Sequence, residues 1–287
     1  MKFVSFRQQG VSRLGVLTND GVIDLNAAQP QVPADLGAAL WQGVDLHAAA
    51  LATVASTAPR LPLASIDYAA PVVRPGKIIC LGLNYFDHAK EGGRDKPDYP
   101  WFFFRGATSL IAHGGAGIRP RVSERFDYEA ELAVVIGKKA RHLSQANALD
   151  CVFGYSCFND MSVRDYQKKT PQWTIGKNFD GTGAFGPFLL TADELAPGAT
   201  GLRIQSRLNG NIMQDANTTD MIWGVAETIA LLTECMTLEP GDVIIMGTPA
   251  GVGQARTPPV WMKHGDTIEI EIDKLGVLSN PICDEAA

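Results

Sequence analysis

Three carboxylates occupy alternate positions at the start of one apolar stretch. Asp127, Glu129 and Glu131 alternate with apolar side chains, and the stretch continues as Leu132-Ala133-Val134-Val135-Ile136. This spacing places the three carboxylates on one face of a strand, and the apolar continuation predicts a strand that is buried on both sides. Buried carboxylates need a compensating charge, which a hard divalent cation such as Mg²⁺, Mn²⁺ or Ca²⁺ supplies. The pattern therefore favours a metal site over a solvated strand face.

Length and composition restrict the class of protein. The chain has 287 residues, 46% of them hydrophobic, which suits one large globular domain or a large and a small one. Its net charge of −6 argues against a general nucleic-acid-binding surface. Five cysteines without a C-x-x-C pair argue against a zinc site or a disulfide framework. No apolar run approaches the roughly 20 residues of a membrane span, and the start of the chain lacks a signal-peptide core. We therefore expect a cytoplasmic protein that binds neither nucleic acid nor a membrane.

Turn signals and apolar patterns divide the chain into two expected domains. Residues 1–70 carry three short strand patterns and an Ala-rich helical stretch, and prolines mark the passage into a main domain of residues 71–287. The main domain is expected to contain strands over 77–83, 101–104, 243–246 and 267–272, and helices over 145–152 and 221–236. Because strands outnumber helices, we expect a β-rich mixed α+β fold, a sandwich or roll rather than a doubly wound sheet.

Two glycine-rich segments match nucleotide-binding loops only in part. Residues 181–186 fit G-x-G-x-x-G, but a strand pattern follows where the dinucleotide fingerprint requires a helix, so we interpret them as a tight loop. Residues 247–253 lack the Lys-Ser/Thr pair of a phosphate loop. They are equally compatible with a plain turn and with a turn whose backbone N–H groups bind an anion.

Other polar residues are candidates for a site. His88 and Glu91 are three apart on an expected helix, where a carboxylate can orient an imidazole as a general base. The alternative is a surface ion pair, which the spacing alone favours. Lys177 could be an anion clamp or a solvated loop lysine. Asp160 ends an apolar stretch, where a lone carboxylate usually caps a turn, but together with the strand carboxylates it could complete a three-carboxylate site.

Together these motifs resemble the catalytic C-terminal domain of the fumarylacetoacetate hydrolase family, and bacterial members such as acylpyruvate hydrolases and 2-hydroxyhepta-2,4-diene-1,7-dioate isomerases in particular. The resemblance covers about residues 71–282 and rests on the order of the motifs more than on any one of them. The motifs are Gly82-Leu83-Asn84-Tyr85 with His88 and Glu91, Asp127-Tyr128-Glu129-Ala130-Glu131-Leu132, Asn159-Asp160 with Arg164-Asp165 and Gln167, Gly176-Lys177, and Gly247-Thr248-Pro249-Ala250-Gly251-Val252-Gly253.

The resemblance implies a fold, a metal and an assembly. It implies a mixed β-sandwich roll that binds Mg²⁺ or Mn²⁺ through Glu129, Glu131 and Asp160, and commonly a homodimer. It also implies a mobile lid over residues 84–98 that carries the His88–Glu91 dyad. Some members have a fourth carboxylate ligand where this chain has asparagine, so water or substrate would complete the coordination here. Asp127 is not carried over as a ligand.

The resemblance also implies roles in chemistry on a 2-oxo acid. A bound metal would stabilise the enolate of the substrate, and His88, oriented by Glu91, would deprotonate water. The side chains expected to contact the substrate are Lys177, Gln167, Thr248, Arg105 and Arg164. Lys177 and Gln167 would hold the substrate or an oxyanion, Thr248 would meet the substrate carboxylate, and the two arginines are candidates for a distal carboxylate.

The first interpretation is a metal-dependent hydrolase that cleaves a C–C bond of a 2,4-dioxo acid to give pyruvate and a second carboxylate. Fumarylpyruvate or maleylpyruvate from aromatic catabolism is the expected type of substrate. The alternatives are an isomerase or decarboxylase of the 5-carboxymethyl-2-hydroxymuconate (homoprotocatechuate) type and a 2,4-dioxo-3-deoxy sugar acid hydrolase. A hypothesis from another class is a non-catalytic metal-binding scaffold protein. The presence of both His88 and Glu91 favours hydrolysis, and it counts against a scaffold, which needs no general base.

Overall fold

The computed structural model describes residues 1–93 and 95–286. Arg94, which belongs to the expected lid, and Ala287 lie outside the described residues. Within them the chain forms nineteen β-strands and seven α-helices. The strands are β1 (Lys2–Gln8), β2 (Val11–Thr18), β3 (Gly21–Asp24), β4 (Arg60–Leu61), β5 (Asp67–Tyr68), β6 (Ile78–Gly82), β7 (Trp101–Arg105), β8 (Leu110–Ala112), β9 (Gly117–Arg119), β10 (Phe126–Asp127), β11 (Ala130–Ile136), β12 (Val152–Asp160), β13 (Ser162–Val163), β14 (Gly183–Thr191), β15 (Arg203–Leu208), β16 (Asn211–Asn217), β17 (Val243–Ile245), β18 (Thr267–Ile272) and β19 (Gly276–Asp284). The helices are α1 (Leu25–Ala28), α2 (Leu36–Trp41), α3 (Leu46–Val54), α4 (Phe86–Glu91), α5 (Arg164–Gln167), α6 (Thr174–Lys177) and α7 (Val225–Cys235). In the described part of the chain, no helix is both long enough and apolar enough to cross a membrane.

Two large sheets build the fold. The first contains twelve of the described strands, in the order β4-β3-β2-β1-β14-β12-β11-β17-β6-β7, with β5 beside β1 and β8 beside β14. The second contains five of them, in the order β16-β15-β18-β19-β9, and β10 pairs with β13 as a short ribbon. Most neighbouring strands are antiparallel, whereas β6–β17, β8–β14 and β9–β19 are parallel. The expected β-rich mixed α+β fold is confirmed.

Strand β11 is buried on both faces, as its apolar sequence predicts. Leu132 and Val134 point into a core shared with the second sheet, whereas Ala133 and Val135 point into a core shared with the N-terminal helices. Burying a Val or Leu side chain contributes about 1.5–3 kcal/mol, so this strand is fixed firmly between two layers. Any carboxylate at its start is held in the same dry environment.

The N-terminal segment extends the first sheet. Strand β1 pairs antiparallel with β14, with Lys2 opposite Leu190 and Phe3 opposite Leu189. Helices α2 and α3 each begin after an aspartate whose side chain accepts a backbone N–H three residues on, which is the usual capping interaction. Because β1 hydrogen-bonds to β14, the first sheet runs across the expected domain boundary near residue 70. That the two parts are separate domains stays a prediction.

Three expectations about local structure are wrong. No α-helix forms over residues 145–152, because Ser144 instead donates its backbone N–H to Asn147 Oδ1 at 2.8 Å and closes a turn. Helix α7 begins at Val225 rather than residue 221, since Met221 bridges to Tyr85 in extended conformation. Residues 183–186 are not a loop but the start of β14. Gly183 suits that strand because a Cβ there would lie 3.1 Å from the Arg105 guanidinium.

Candidate active site

Three buried carboxylates converge where β11 and β12 meet. Glu131 is the second residue of β11, Glu129 immediately precedes this strand, and Asp160 ends β12. The backbone N–H of Asp160 donates to the Glu129 carbonyl at 3.0 Å, which brings the two strand ends together. One oxygen of each carboxylate lies within 4.8 Å of the others. The structure therefore brings together the three residues predicted as metal ligands.

Asp127 does not join this group. The expected continuous strand is interrupted between β10 and β11, and the Asp127 carboxylate lies among other donors. It accepts the backbone N–H groups of Gly253 and Gln254 at 2.8 and 2.9 Å and the Arg164 Nε–H at 2.8 Å. Asp127 thus ties the glycine segment 247–253 and an arginine to the site without facing the other carboxylates.

Three buried cationic side chains pair with two of the carboxylates. Lys177 Nζ lies 2.6 Å from Glu129 Oε2 and 2.5 Å from Asp160 Oδ2. Arg164 Nη1 lies 2.7 Å from Glu129 Oε1, and Arg105 Nη1 lies 3.0 Å from Asp160 Oδ1. Within the described residues, Glu131 forms no such ion pair, and the Gly247 N–H that donates to its Oε2 at 2.6 Å is its one hydrogen-bond donor. The charge at Glu131 is therefore the least compensated.

The pKa values of the carboxyl groups follow from this arrangement. Burial together with the negative charges of Asp160 and Glu129 raises the pKa of Glu131 well above its usual value. Burial alone would also raise the pKa of Glu129, but the charges of Lys177 and Arg164 outweigh it and hold this pKa below its usual value. Burial would lower the pKa of Lys177, yet the two carboxylates that it contacts raise it. The lysine therefore stays charged.

The donor set fits a hard divalent cation. All three groups offer oxygen, the ligand atom that Mg²⁺ and Mn²⁺ prefer. Asp160 Oδ1 is buried next to the Arg105 guanidinium but accepts no well-aligned hydrogen bond from a described residue, so it can still serve as a ligand atom. Counting Asp127, the four buried carboxylates exceed the three buried cations by one charge. A divalent cation held by Glu129, Glu131 and Asp160 would reverse that balance and favour an anionic substrate.

Asn84 is not an additional ligand. Its side-chain amide donates to the carbonyls of Trp223 and Met246 at 3.0 and 2.7 Å, and its Oδ1 accepts the Trp223 N–H at 2.8 Å. All its hydrogen-bonding groups are used to anchor the start of the expected lid. The residue before it, Leu83, has a φ of 57°, a strained conformation of the kind that concentrates at functional sites.

Helix α4 carries the expected dyad. His88 Nδ1 lies 2.8 Å from Glu91 Oε1, and Glu91 Oε2 accepts the Gly251 N–H at 2.9 Å. The two side chains are only 15% and 21% exposed, which is low for a surface ion pair. Glu91 therefore orients the imidazole and at the same time docks the helix on the glycine segment 247–253.

Close backbone contacts explain two glycines of the site. A Cβ on Gly247, whose φ is 84°, would lie 2.7 Å from the Asn84 Cβ. A Cβ on Gly176 would lie 2.3 Å from the Gln167 backbone nitrogen. The first glycine lets a backbone N–H reach Glu131, and the second lets α6, which carries Lys177, pack against α5.

These elements enclose a cavity of about 300 Å³. The predicted residues that line it are His88, Glu129, Glu131, Arg164, Gln167, Lys177 and Thr248. Asp160, Glu91 and Arg105 are not among its lining residues. Arg105 is buried behind Asp160, where it also donates to Thr182 Oγ1 at 3.1 Å and to the Lys177 carbonyl. This position favours holding Asp160 in place over contact with a distal carboxylate.

Several lining residues were not among the site residues predicted from the sequence, although Gly82, Leu83 and Gly92 lie in its motifs or its expected lid. They are Leu81, Gly82, Leu83, Gly92, Phe103, Lys168, Trp173 and Gln254. Trp173 is an isolated aromatic residue in a polar segment, and this was the one signal that could have indicated a binding role. A larger open cleft of about 1070 Å³ lies between residues 63–74 and 106–115. It is not lined by any of the three clustered carboxylates.

Comparison with known proteins identifies the family. The family profile described as fumarylacetoacetate (FAA) hydrolase C-terminal matches residues 77–283. The chain belongs to the fumarylacetoacetate hydrolase family. The resemblance inferred from the ordered motifs is thereby confirmed, and the chain is a member of an enzyme family.

Relatives of this family member cover nearly its whole length. Human mitochondrial oxaloacetate tautomerase FAHD2A is 39% identical over 288 residues, which cover 98% of this chain and 91% of the relative. The fumarylacetoacetate hydrolase structure from Exiguobacterium antarcticum superposes with a TM-score of 0.86 at 35% identity, covering 99% of this chain and 100% of that one. The structure of maleylpyruvate hydrolase from Sphingobium sp. SYK-6, in complex with manganese(II) ion and pyruvate, superposes with a TM-score of 0.83 at 29% identity and covers 100% of both chains. This manganese complex and the acidic cluster described above both support a divalent metal site in the present chain.

Proposed function

We propose that the protein is a divalent-metal-dependent enzyme that interconverts the keto and enol forms of oxaloacetate. The observation that carries this proposal is that Glu129 and Glu131 of the carboxylate cluster line one small cavity together with His88, the imidazole that Glu91 orients. At about 300 Å³ this cavity is at the lower end of the range for ligand pockets, which suits a four-carbon acid. Identity of 39% with an oxaloacetate tautomerase over nearly the full length of both chains supports the choice of substrate.

The residues of the cavity suit the proton movements of enolisation. A cation bound to the three carboxylates would supply a Lewis acid that stabilises negative charge on the C2 oxygen. With Nδ1 engaged by Glu91, the Nε2 atom of His88 is available to take a proton from C3 of the 2-oxo acid. The charged Lys177 can donate a hydrogen bond to the C2 oxygen, and Thr248 and Gln167 offer further polar contacts to the substrate.

The proposal is tested by following the ultraviolet absorbance of the oxaloacetate enol as it converts to the keto form. We expect the protein with saturating Mg²⁺ or Mn²⁺ to accelerate the conversion far beyond the metal alone. We expect this acceleration to disappear after metal removal with EDTA and to return when metal is added back. A rate equal to that of buffer and metal alone would exclude the tautomerase.

A second candidate is hydrolysis of an acylpyruvate, such as fumarylpyruvate or maleylpyruvate, to pyruvate and a second carboxylate. The specific observation in its favour is the dyad, since a histidine oriented by a carboxylate can also activate water. The similarity to maleylpyruvate hydrolase supports the same reading. Pyruvate release from a panel of acylpyruvates, measured with a coupled assay with and without Mg²⁺, tests it. The panel should include a 2,4-dioxo-3-deoxy sugar acid, whose hydrolysis also releases pyruvate. Isomerisation of 5-carboxymethyl-2-hydroxymuconate releases no pyruvate and is followed separately by the change in its ultraviolet absorbance.

We also propose a homodimer in a reducing compartment such as the cytoplasm. The five cysteines are all free thiols in the structure, which supports a reducing environment. The dimer is inferred from the family resemblance. Light scattering of the purified protein tests the assembly, and a molar mass near that of one 30.8 kDa chain would contradict it.

A further inference from the structure

Part of the cavity wall is aromatic. Phe103 of β7 and Trp173, which precedes α6, both line the cavity, and their ring centroids lie 5.7 Å apart at 67°. The Lys177 Nζ lies 5.3 Å from the centroid of the Phe103 ring, and the same ammonium contacts Glu129 and Asp160. Trp173 is therefore separated from the carboxylate cluster by two side chains in contact.

The Trp173 indole has a defined seat. It lies against the backbone of Gly82, the last residue of β6, where a Cβ would be 2.0 Å from Cζ3 and 2.6 Å from Cη2 of the indole. Gly82 lies opposite Trp101 in the sheet, and the Trp101 ring is 5.4 Å from that of Trp173. Any side chain at position 82 would displace the indole, so this glycine and its aromatic neighbours fix the position of Trp173.

We propose that Trp173, seated on Gly82, limits the length of the substituent that a 2-oxo acid substrate can carry beyond C3. The inference rests on the proposed function, in which the C2 oxygen lies at the cation bound by the carboxylate cluster. From that end a substrate extends within a cavity of about 300 Å³ that Phe103 and Trp173 close on one side. A longer or ring-bearing acyl group would need the space that the indole occupies.

The remaining cavity wall favours a short polar substituent. Arg164, Gln167 and Lys168 also line the cavity, so a compact anionic group such as a second carboxylate meets charged and polar neighbours. An apolar chain of the same length meets fewer partners there. The expected substrates are therefore short 2-oxo dicarboxylic acids, and Trp173 is the residue that excludes longer ones.

The test measures binding of inhibitors of increasing length rather than turnover. Calorimetry with the Mn²⁺-loaded protein compares oxalate, pyruvate and straight-chain 2-oxo acids up to eight or so carbons in wild type, Trp173→Ala and Trp173→Phe. One methylene in an apolar pocket changes selectivity by about 10- to 200-fold. We therefore expect Trp173→Ala to bind the longer acids at least about 10-fold more tightly than wild type does, with oxalate affinity nearly unchanged. Trp173→Phe should give an intermediate result, and because it keeps an aromatic ring against Phe103 it also serves if the alanine variant does not fold.

Phe104→Ala is the matched control. Phe104 is on the same strand as Phe103, but it is 45% exposed, lies on the opposite face and is not a lining residue. The Phe104→Ala variant should show the same dependence of affinity on acid length as wild type does. If a folded Trp173 variant still bound oxalate but its affinities for the longer acids matched those of wild type, the role of Trp173 would be overturned and the proposed function would stand. Failure of the wild type to bind Mn²⁺ or oxalate would overturn the proposed function and this inference together.

Discussion

The ammonium group of Lys177 lies 2.5 Å from Oδ2 of Asp160, in a position that is almost fully buried. The same ammonium contacts Glu129 at 2.6 Å. In the absence of a metal ion, this lysine supplies much of the positive charge that the carboxylate cluster requires. Its contribution to stability should therefore depend on whether the metal is bound.

Replacing Lys177 with methionine should destabilise the metal-free protein by about 3–5 kcal/mol, because it leaves buried carboxylates without a partner. Saturating Mg²⁺ or Mn²⁺ should recover more stability in this variant than in wild type, since the metal ion then neutralises the carboxylates that have lost the lysine. Urea unfolding with and without metal measures both effects. Lys139→Met, at an exposed lysine, is the control. An equal gain from metal in wild type and Lys177→Met would contradict the argument.

Replacing Glu131 with glutamine should abolish metal binding and leave a folded chain. The Gln side-chain oxygen can still accept the Gly247 N–H, whereas the ligand charge is lost. Calorimetric titration with Mg²⁺ and Mn²⁺ is the measurement, and the exposed Glu124→Gln variant is the control. If Glu131→Gln bound metal as tightly as wild type does, Glu131 would not be a ligand.

The pH dependence of stability should also change in Glu131→Gln. The pKa of Glu131 is raised in the folded state above its ordinary value of 4.5, so the folded metal-free protein holds this proton more tightly than the unfolded chain does. Its contribution to stability is thus fully present below about pH 4.5 and is lost as the pH rises through the folded-state pKa. Each unit of difference between the two pKa values corresponds to about 1.4 kcal/mol.

We therefore expect the stability of Glu131→Gln relative to wild type to increase with pH when both are measured in EDTA. Urea unfolding at several pH values gives the difference directly and cancels the titration of groups distant from the carboxylate cluster. A difference that stays constant from acid to neutral pH would show that the Glu131 pKa is not raised.

His88→Ala should lower turnover of the accepted substrate by about 100- to 10,000-fold, the usual range for general acid–base assistance. Metal affinity should stay near that of wild type, because His88 is not among the clustered ligands. Glu91→Gln should do less damage, since it can still accept hydrogen bonds but no longer supports an imidazolium charge. Steady-state kinetics at saturating Mg²⁺ with oxaloacetate and an acylpyruvate compare the two reactions. Wild-type turnover by His88→Ala on both substrates would reduce the dyad to a structural contact.

Hydrogen exchange in the segment 84–98 should slow when oxalate binds to the metal-loaded protein. Helix α4 is short, and its described docking contact to the glycine segment is the hydrogen bond from Gly251 to Glu91. Little burial holds such a segment closed in the absence of substrate. Mass spectrometry of peptides from this segment, with peptides from β18 as the internal reference, makes the measurement. Identical protection with and without oxalate would argue against a lid.

Local sequence was enough to determine the elements whose pattern is carried by neighbouring residues. The apolar run 132–136 predicted a strand buried on both faces, because period-two alternation is lost only when both sides of a strand are covered. The three-residue spacing of His88 and Glu91 predicted their contact, because a helix brings such positions to one side. The ordered motifs then identified the family and the three clustered carboxylates.

Tertiary contacts decided the rest, because the partners involved are far apart in the chain. Ser144 begins a turn rather than a helix, and Asp127 leaves the carboxylate face because donors from residues 253 and 254, more than a hundred positions away, attract it. The position of Arg105 behind Asp160 and of Trp173 against Gly82 likewise depends on how separate strands and loops pack. The sequence by itself thus specified the chemistry of the carboxylate cluster. The size and lining of the cavity around it were set only by packing between elements that no local pattern connects.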